Sequence, residues 1–217
     1  PRGGLLLQQT GFVDTNTCID AVIDYTRAGG QFIEETFDHT LLSLYENEVH
    51  YKSVVAEKII FCEGTDVLKN PLFSWVPVRA LKGETLTVEA SLPEDVIVNR
   101  GVYAVPAAGS YFKVGATYEP HDLSAMTTEK GRAELSQSLQ QIYVSPFTIK
   151  NQQWGLRPTS PDRRPIIGEH PVYKNVFILN GLGTKGVSLA PFAAEFLVAY
   201  LVTGNRQPAN AAVDLNR

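Results

Sequence analysis

A chain of 217 residues is long enough for one large domain or two small ones with a sizeable core. Its composition, 44% hydrophobic and 19% charged, is that of a soluble globular protein, and a net charge of −4 without long like-charge runs argues against an electrostatic nucleic-acid binder. Cys18 and Cys62 are too few for a disulfide scaffold or a Cys-rich zinc site, which sets a reducing cytoplasm as the expected location.

No apolar run reads as long enough to span a bilayer, and "PRGGLLLQQTG" lacks a full signal-peptide pattern. The four histidines, at 39, 50, 121 and 170, have no His or Cys partner at ligand spacing, so no metal site is expected.

In chain order, "DTNTCIDAVIDYTRAGG" places Ile19, Val22, Ile23 and Thr26 at helical spacing. Asp14 to Thr17 supply cap candidates and Gly29–Gly30 a stop, which predicts an amphipathic helix. "QFIEETF", "TLLSLYE" and "EVHYKSVVA" read as short strands joined by polar turns. "KIIFCEG" is a continuous apolar run, suited to a strand of a parallel sheet buried on both faces. From about Pro77, "VRALKGETLTVEA", "VIVNRG", "VYAVP" and "SYFKVGATYE" are strand-like pieces punctuated by Gly, Pro, Asn and Ser, as in an antiparallel sheet. "TTEKGRAELSQSLQQIY" restores helical spacing, with Leu135, Leu139, Ile142 and Tyr143 in one stripe. "TIKNQQWGLRPTSPDRRPIIG" then reads as a strand-like start and a Pro- and Arg-rich loop, and "NVFILNGLGTKGVSLAPFAAEFLVAYLV" as strand, glycine loop and helix. The expected fold class is α/β (α+β), with α/β material in 1–76 and 151–217 enclosing an antiparallel insert with a helix in 77–150.

The loop glycines, Gly181, Gly183 and Gly186, have G-x-G-x-x-G spacing. That fingerprint must open a strand–helix–strand unit of about 30 residues and carry an acid about 20 positions on. Neither follows: "TGNRQPANAAVDLNR" offers no second parallel strand, and Thr203, Gly204 and Asn205 stand where the acid is required. What the loop predicts is a glycine-lined helix N-terminus that exposes backbone N–H groups and a positive dipole end to a polar or anionic group, or else a tight strand-to-helix turn that needs small residues.

Three pieces carry a resemblance. "GFVDTNTCIDAVIDYTRAGGQFIEETF" with "AEKIIFCEG", then "RALKGETLTVEA" with "GVYAVPAAGSYFKVGATYE", then "WGLRPTSPDRRPIIGEHPVYKNVFILNGLGTKGVSLAPFAAEFLVAYLVTG" together resemble the FAD-dependent amine and amino-acid oxidoreductases. This is the family of D-amino-acid oxidase, glycine oxidase, sarcosine oxidase and the small D-amino-acid dehydrogenases. The resemblance implies part of an FAD-binding Rossmann-like domain with an inserted antiparallel-sheet substrate domain. It covers the C-terminal part of the family pattern, somewhat more than half. The family's opening strand and pyrophosphate-binding glycine helix have no counterpart ahead of "GFVDTNTC", which implies a truncated chain and a missing N-terminal half.

By the same resemblance the C-terminal loop lies against the flavin ring, where a helix N-terminus stabilises the negative charge of reduction. Gly181, Gly183 and Gly186 would let the backbone approach; Leu182 and Thr184 would add contacts, and Lys185 is either a neutralising cation or an exposed lysine. Phe37 matches an adenine-side backbone contact, and Cys62, Glu63 and Gly64 match the strand end beside the nucleotide; a core aromatic and a turn glycine are the plain alternatives for Phe37 and Gly64. Arg157, in "LRP", matches the arginine that takes the substrate carboxylate in two parallel hydrogen bonds, against the alternative of a loop arginine paired with Asp162. Tyr103 matches a substrate-side aromatic or is a packed strand tyrosine, and Arg163 and Arg164 read as surface charges. The implied function is oxidation of the C–N bond of an amine or amino acid by hydride transfer to FAD, with oxygen, a quinone or a protein as electron acceptor. Two rivals stand beside it: oxidation of a tRNA-attached amine, and a non-catalytic subunit that binds a partner carrying the nucleotide-binding half.

Overall fold

The computed structural model describes residues 4–30, 32–204 and Leu215. Its elements are α1 (Thr15–Ala28), β1 (Leu42–Leu44), β2 (Val49–Tyr51), β3 (Val54–Ala56), β4 (Ile59–Phe61), β5 (Arg79–Glu89), β6 (Val98–Arg100), β7 (Val102–Pro106), β8 (Tyr111–Gly115), α2 (Glu129–Gln140), β9 (Thr148–Thr159), β10 (Ile166–Glu169), β11 (Val176–Asn180) and α3 (Gly186–Thr203), with short 3-10 turns at His39–Leu41, Gly64–Lys69 and Gly183–Lys185. They gather into two compact units, each discontinuous in sequence.

The first unit comprises the chain up to Glu35, Glu84–Thr117 and Met126–Gln153. Asp14 caps α1 by accepting from the backbone N–H groups of Asn16 and Thr17 at 3.0 and 3.1 Å, and Gly29 ends the helix, as the sequence pattern requires. The predicted apolar stripe of α1 stays in water: Ile19 and Val22 are exposed. The sheet has the order β6-β7-β8-β5-β9, antiparallel from β6 through β5. Period-2 alternation turns Leu86, Val88, Val102, Ala104, Phe112 and Val114 to one face, where Leu135, Leu139 and Tyr143 of the α2 segment close a core. Each such side chain contributes about 1.5–3 kcal/mol by leaving water. The start of α2 is fixed by Thr128, whose hydroxyl accepts from Gly131 N–H at 3.0 Å and donates to the buried Glu84 carboxylate at 2.7 Å. That carboxylate also accepts from Thr128 N–H at 2.9 Å and Gln152 Nε2 at 2.6 Å.

The second unit comprises Thr36–Gly83, Tyr118–Ala125 and the chain from Trp154 onward. One sheet is the meander β1-β2-β3; the other has the order β10-β11-β4, with β4 and β11 parallel. Alternate residues of β10 and β11 serve two cores: Ile166, Val176 and Ile178 pack with Phe61, Val67 and Phe73, while Ile167 and Phe177 pack with Ala193 and Leu197 of α3. Burial on both faces is what the unbroken apolar run of β11 predicts, whereas the same expectation fails for β4, whose Phe61 is buried but whose Ile60 is exposed.

Four expectations are corrected. Residues 32–37 form no strand: Phe37 leaves the extended path to stack on Tyr51, with ring centroids 4.2 Å apart. The stretch read as one strand in "EVHYKSVVA" is the hairpin β2–β3, in which Tyr51 pairs with Val54 and Lys52 takes φ 53°. The predicted loop "WGLRPT" is the end of the twelve-residue strand β9, so Arg157 stands on a strand; β9 is an edge strand, where Pro158 removes no ladder bond that the sheet needs. Finally, Gly183–Thr203 is long and apolar enough by length and composition to cross a membrane, with a mean hydropathy of 1.6. Within its unit, α3 packs on β10 and β11 through Ala193 and Leu197.

Candidate functional site

The site is built where β11 runs into α3 in the second unit. Asn180, the last residue of β11, is buried, and its side chain holds two loops at once: Nδ2 donates to the Gly64 carbonyl at 2.9 Å and Oδ1 accepts from Gly181 N–H at 2.8 Å. Gly181 turns the chain with φ 70° and Gly183 with φ 57°. Leu182 forms a β-bridge to Thr159, which ties the loop to the end of β9. Among the described residues no side chain caps the 3-10 turn Gly183–Lys185 or the start of α3. The N–H groups of a helix start need a partner from side chain, solvent or ligand, so this uncapped end is a site for an electron-rich group.

A cavity of about 630 Å³ opens in front of it, lined by the loop residues 181–185 with Leu81, Tyr118, Thr159, Ser160, Pro161, Arg163 and Leu189. Such a volume lies in the range of cofactor and ligand sites. Arg163 faces it from a backbone at φ 60°, held in a turn: Ser160 Oγ donates to the Arg164 carbonyl at 2.6 Å, Arg163 N–H to the Ser160 carbonyl at 3.1 Å, and Arg164 N–H to Asp162 Oδ1 at 3.2 Å. Arg163 is exposed, as the reading of it as a surface charge expects, and the turn around Ser160 and Asp162 also puts it among the residues that line the cavity.

Arg157 precedes Thr159 by two on β9, so the two share a strand face. It is half-buried, and its guanidinium carbon lies 5.2 Å from the centroid of the Tyr118 ring, which itself lines the cavity. Tyr118 was not singled out from sequence. Its place depends on Lys82, a fully buried lysine whose Nζ donates to Asp122 Oδ2 and Ser124 Oγ, both at 3.0 Å. Hydrogen bonds from Ser124, then the Lys82 ammonium, pull the Asp122 carboxyl down to about 2.

The remaining candidates are dispersed. Gly64 joins the site through Asn180, and a Cβ placed on it would touch Pro158 at 3.9 Å. Phe37 belongs to an aromatic cluster with Tyr51 and Phe61 on the core, and Cys62 is exposed just beyond β4. Glu63 accepts from Asn70 Nδ2 at 2.7 Å and lies 2.9 Å from His39 Nε2. Tyr103, in the first unit, is the cross-strand neighbour of Gly115 and covers it with its ring. Gly186 is the first residue of α3, where a Cβ would make only an ordinary contact with Leu182.

Residues 1–201 match the FAD dependent oxidoreductase family designated DAO. The chain belongs to this family. It is 33% identical over 159 residues to a D-amino acid dehydrogenase of Methylobacterium nodulans, covering 70% of this chain and 37% of that protein. It is 26% identical over 169 residues to the tRNA 5-methylaminomethyl-2-thiouridine biosynthesis bifunctional protein MnmC of Idiomarina loihiensis, covering 71% and 27%. The fold matches that of iminodiacetate oxidase from Chelativorans sp. with a TM-score of 0.76 at 23% identity, over 92% of this chain and 58% of that one. The chain thus spans about a third of the length of these curated relatives. The family's cofactor is FAD. The cavity has features compatible with an electron-rich heterocycle: the turn and helix start at 183–186 carry no side-chain cap among the described residues, and the cations Arg163 and Lys185 line the cavity.

Proposed function

We propose that this chain supplies the substrate-anchoring strand and the flavin-facing loop of an FAD-dependent oxidoreductase that oxidises the C–N bond of an amino acid. The observation that carries the reading is that, within one unit, a glycine-lined helix start without a side-chain cap and Tyr118, the ring beside the Arg157 guanidinium, line one cavity. Bound against the 181–186 loop, FAD would supply the two-electron acceptor that oxidation of a substrate C–N bond requires. Arg157 donates two parallel hydrogen bonds to the substrate carboxylate and so fixes which face of the Cα is presented. Gly183 and Thr184 would direct backbone N–H groups and a positive dipole end at the electron-accepting group, and Lys185, whose own N–H is bonded to the Leu182 carbonyl at 3.3 Å, would add its side-chain charge. Leu81, Pro161 and Leu189 keep that part of the cavity apolar, which strengthens both interactions. Hydride loss from a neutral amine requires no acid–base side chain in contact with it, and the assignment names none.

The similarity to the tRNA-modifying protein supports C–N chemistry of the same class on a larger amine. A net charge of −4 favours the free amino acid. Steady-state kinetics of FAD-loaded protein test the choice. Turnover of free amino acids, weakened in Arg157→Leu by a raised KM, supports the reading, whereas turnover only of amines without a carboxylate, unaffected by Arg157→Leu, overturns it.

A further inference from the structure

We infer that Asn180 is a positioning residue: by tying the start of the 181–186 loop to Gly64 it fixes where the backbone donors of the loop stand, and thereby how strongly the site stabilises a reduced flavin. This rests on the reading that the loop faces the flavin. Asn180 pairs with Ile166 in the β10–β11 register and shares a strand face with Val176 and Ile178, which pack in the core. That face calls for an apolar residue, yet an amide fills the position at 3% exposure. Both ends of the amide are used: Nδ2 donates to the Gly64 carbonyl at 2.9 Å, and Oδ1 accepts from Gly181 N–H at 2.8 Å. Both partners are main-chain groups of glycines in the left-handed region, Gly64 at φ 58° and Gly181 at φ 70°, each at a turn beyond the end of its strand.

Each partner is itself held. Gly64 opens the 3-10 turn Gly64–Lys69, whose two ends are joined by the fully buried Asn70: its Nδ2 donates to Glu63 Oε2 at 2.7 Å and its Oδ1 accepts from Leu72 N–H at 2.8 Å, while His39 Nε2 lies 2.9 Å from Glu63 Oε1. On the other side, Ile166 Cγ1 and the Arg164 carbonyl stand 3.1 and 3.4 Å from where a Cβ on Gly181 would lie, and Leu182 bridges to Thr159. The loop therefore enters the cavity from a base held at Gly64, Ile166 and Thr159, and an orientation set at Gly181 carries into Gly183 and Thr184, which line the cavity. Donors held in advance stabilise negative charge only where they are aimed. Without the amide, the buried Gly181 N–H and the Gly64 carbonyl lose their partner, and the loop settles around others.

Hydrogen exchange of the Gly181 amide in the 217-residue chain reads the tie without cofactor or turnover. It should quicken about tenfold in Asn180→Ala, and exchange equal to the parent overturns the tie. The functional arm uses FAD-loaded protein. In the parent, the Gly183 and Thr184 amide signals move when dithionite reduces the flavin. In Asn180→Ala, at equal flavin content, the preference for reduced over oxidised flavin falls about tenfold, which lowers the two-electron midpoint potential by about 30 mV. Val176→Ala, a cavity in the same core, lowers Tm and leaves the potential at the parent value. Asn180→Ser, whose hydroxyl is too short to serve both partners, shifts the potential in the same direction and carries the test if the alanine variant does not fold. A parent-like potential in the Asn180 variant, with the Gly183 and Thr184 signals still answering reduction, overturns the positioning role and leaves the flavin-facing loop standing. A potential that falls as far in Val176→Ala also overturns it, since general loosening then accounts for the shift. Parent signals at Gly183 and Thr184 that ignore reduction overturn the flavin-facing loop, and the positioning role with it.

Discussion

Replacing Gly183 by alanine separates the backbone demand of the loop from its crowding. Gly183 has φ 57°, a region that costs a residue with a Cβ about 1–2 kcal/mol. The added methyl would meet only Thr159 Cγ2, at an ordinary 3.7 Å, so the backbone cost stands nearly alone. Gly181, with φ 70°, carries the same cost, but its methyl would approach Ile166 Cγ1 to 3.1 Å and the Arg164 carbonyl to 3.4 Å. Ile166 is buried in the core and has little room to yield. Gly183→Ala is therefore expected to cost about 1–2 kcal/mol, and Gly181→Ala more than about 2 kcal/mol. For a chain of this size about 1 kcal/mol shifts Tm by about 2–4 °C. Thermal unfolding followed by circular dichroism measures both, and Gly183→Asn serves as the control, because asparagine tolerates the left-handed region. Asn at 183 should melt closer to the parent than Ala. An alanine variant at 183 that melts with the parent, or an asparagine variant that melts below it, refutes the conformational reasoning.

Three further outcomes follow from single interactions. His170 is buried; its Nδ1 accepts from the N–H groups of Val172 and Tyr173, both at 3.1 Å, and Nε2–H donates to the Leu72 carbonyl at 3.1 Å, so the ring is neutral and burial lowers its pKa below the ordinary 6.5. A lowered folded-state pKa makes stability full above about 6.5 and smaller as pH falls below it; His170→Gln should flatten the decline of Tm from neutral to mildly acidic pH, and an unchanged slope refutes the assignment. Asp122→Asn removes one carboxylate that pairs with the buried Lys82 and should lower Tm, whereas Lys82→Met, which removes the buried charge itself, should be better tolerated; equal losses in the two variants contradict this. Thr128→Ala removes the α2 cap and a donor to buried Glu84, with an expected loss of about 1–2 kcal/mol in denaturant unfolding, while a loss below about 0.5 kcal/mol denies the cap its role.

What the sequence shows of this protein is what depends on local periodicity. The cap at Asp14, the stop at Gly29, the stripe of α2 and the doubly buried strand β11 all write their environment into neighbouring residues, while the apolar run of β4 misleads, because Ile60 is exposed. The site depends on contacts distant in sequence, which no spacing encodes. Asn180 reads as the last residue of a strand until its side chain is seen to join Gly64 to Gly181. Tyr118 reads as one of nine tyrosines until Lys82 and Asp122 pin its segment beside Arg157. The "GLRPTSPDRRPIIG" block singles out Arg157 as a candidate, but the strand that carries it was not legible, because Pro158 is a turn signal except at a sheet edge. The resemblance placed Phe37 and Cys62 beside a nucleotide; the structure shows Phe37 as a partner of Tyr51 and Phe61, and Cys62 as an exposed strand end.

Anaerobic bleaching of the flavin tests the central claim most directly. In a polypeptide that joins this chain to a dinucleotide-binding segment and carries FAD, an amino acid substrate should bleach the flavin absorbance of the parent. In Arg157→Leu, at equal flavin content, the bleaching should require far higher substrate, since losing a charge-assisted pair costs about 2–5 kcal/mol. Bleaching by carboxylate-free amines that proceeds equally in both proteins, with amino acids inert, would contradict the account.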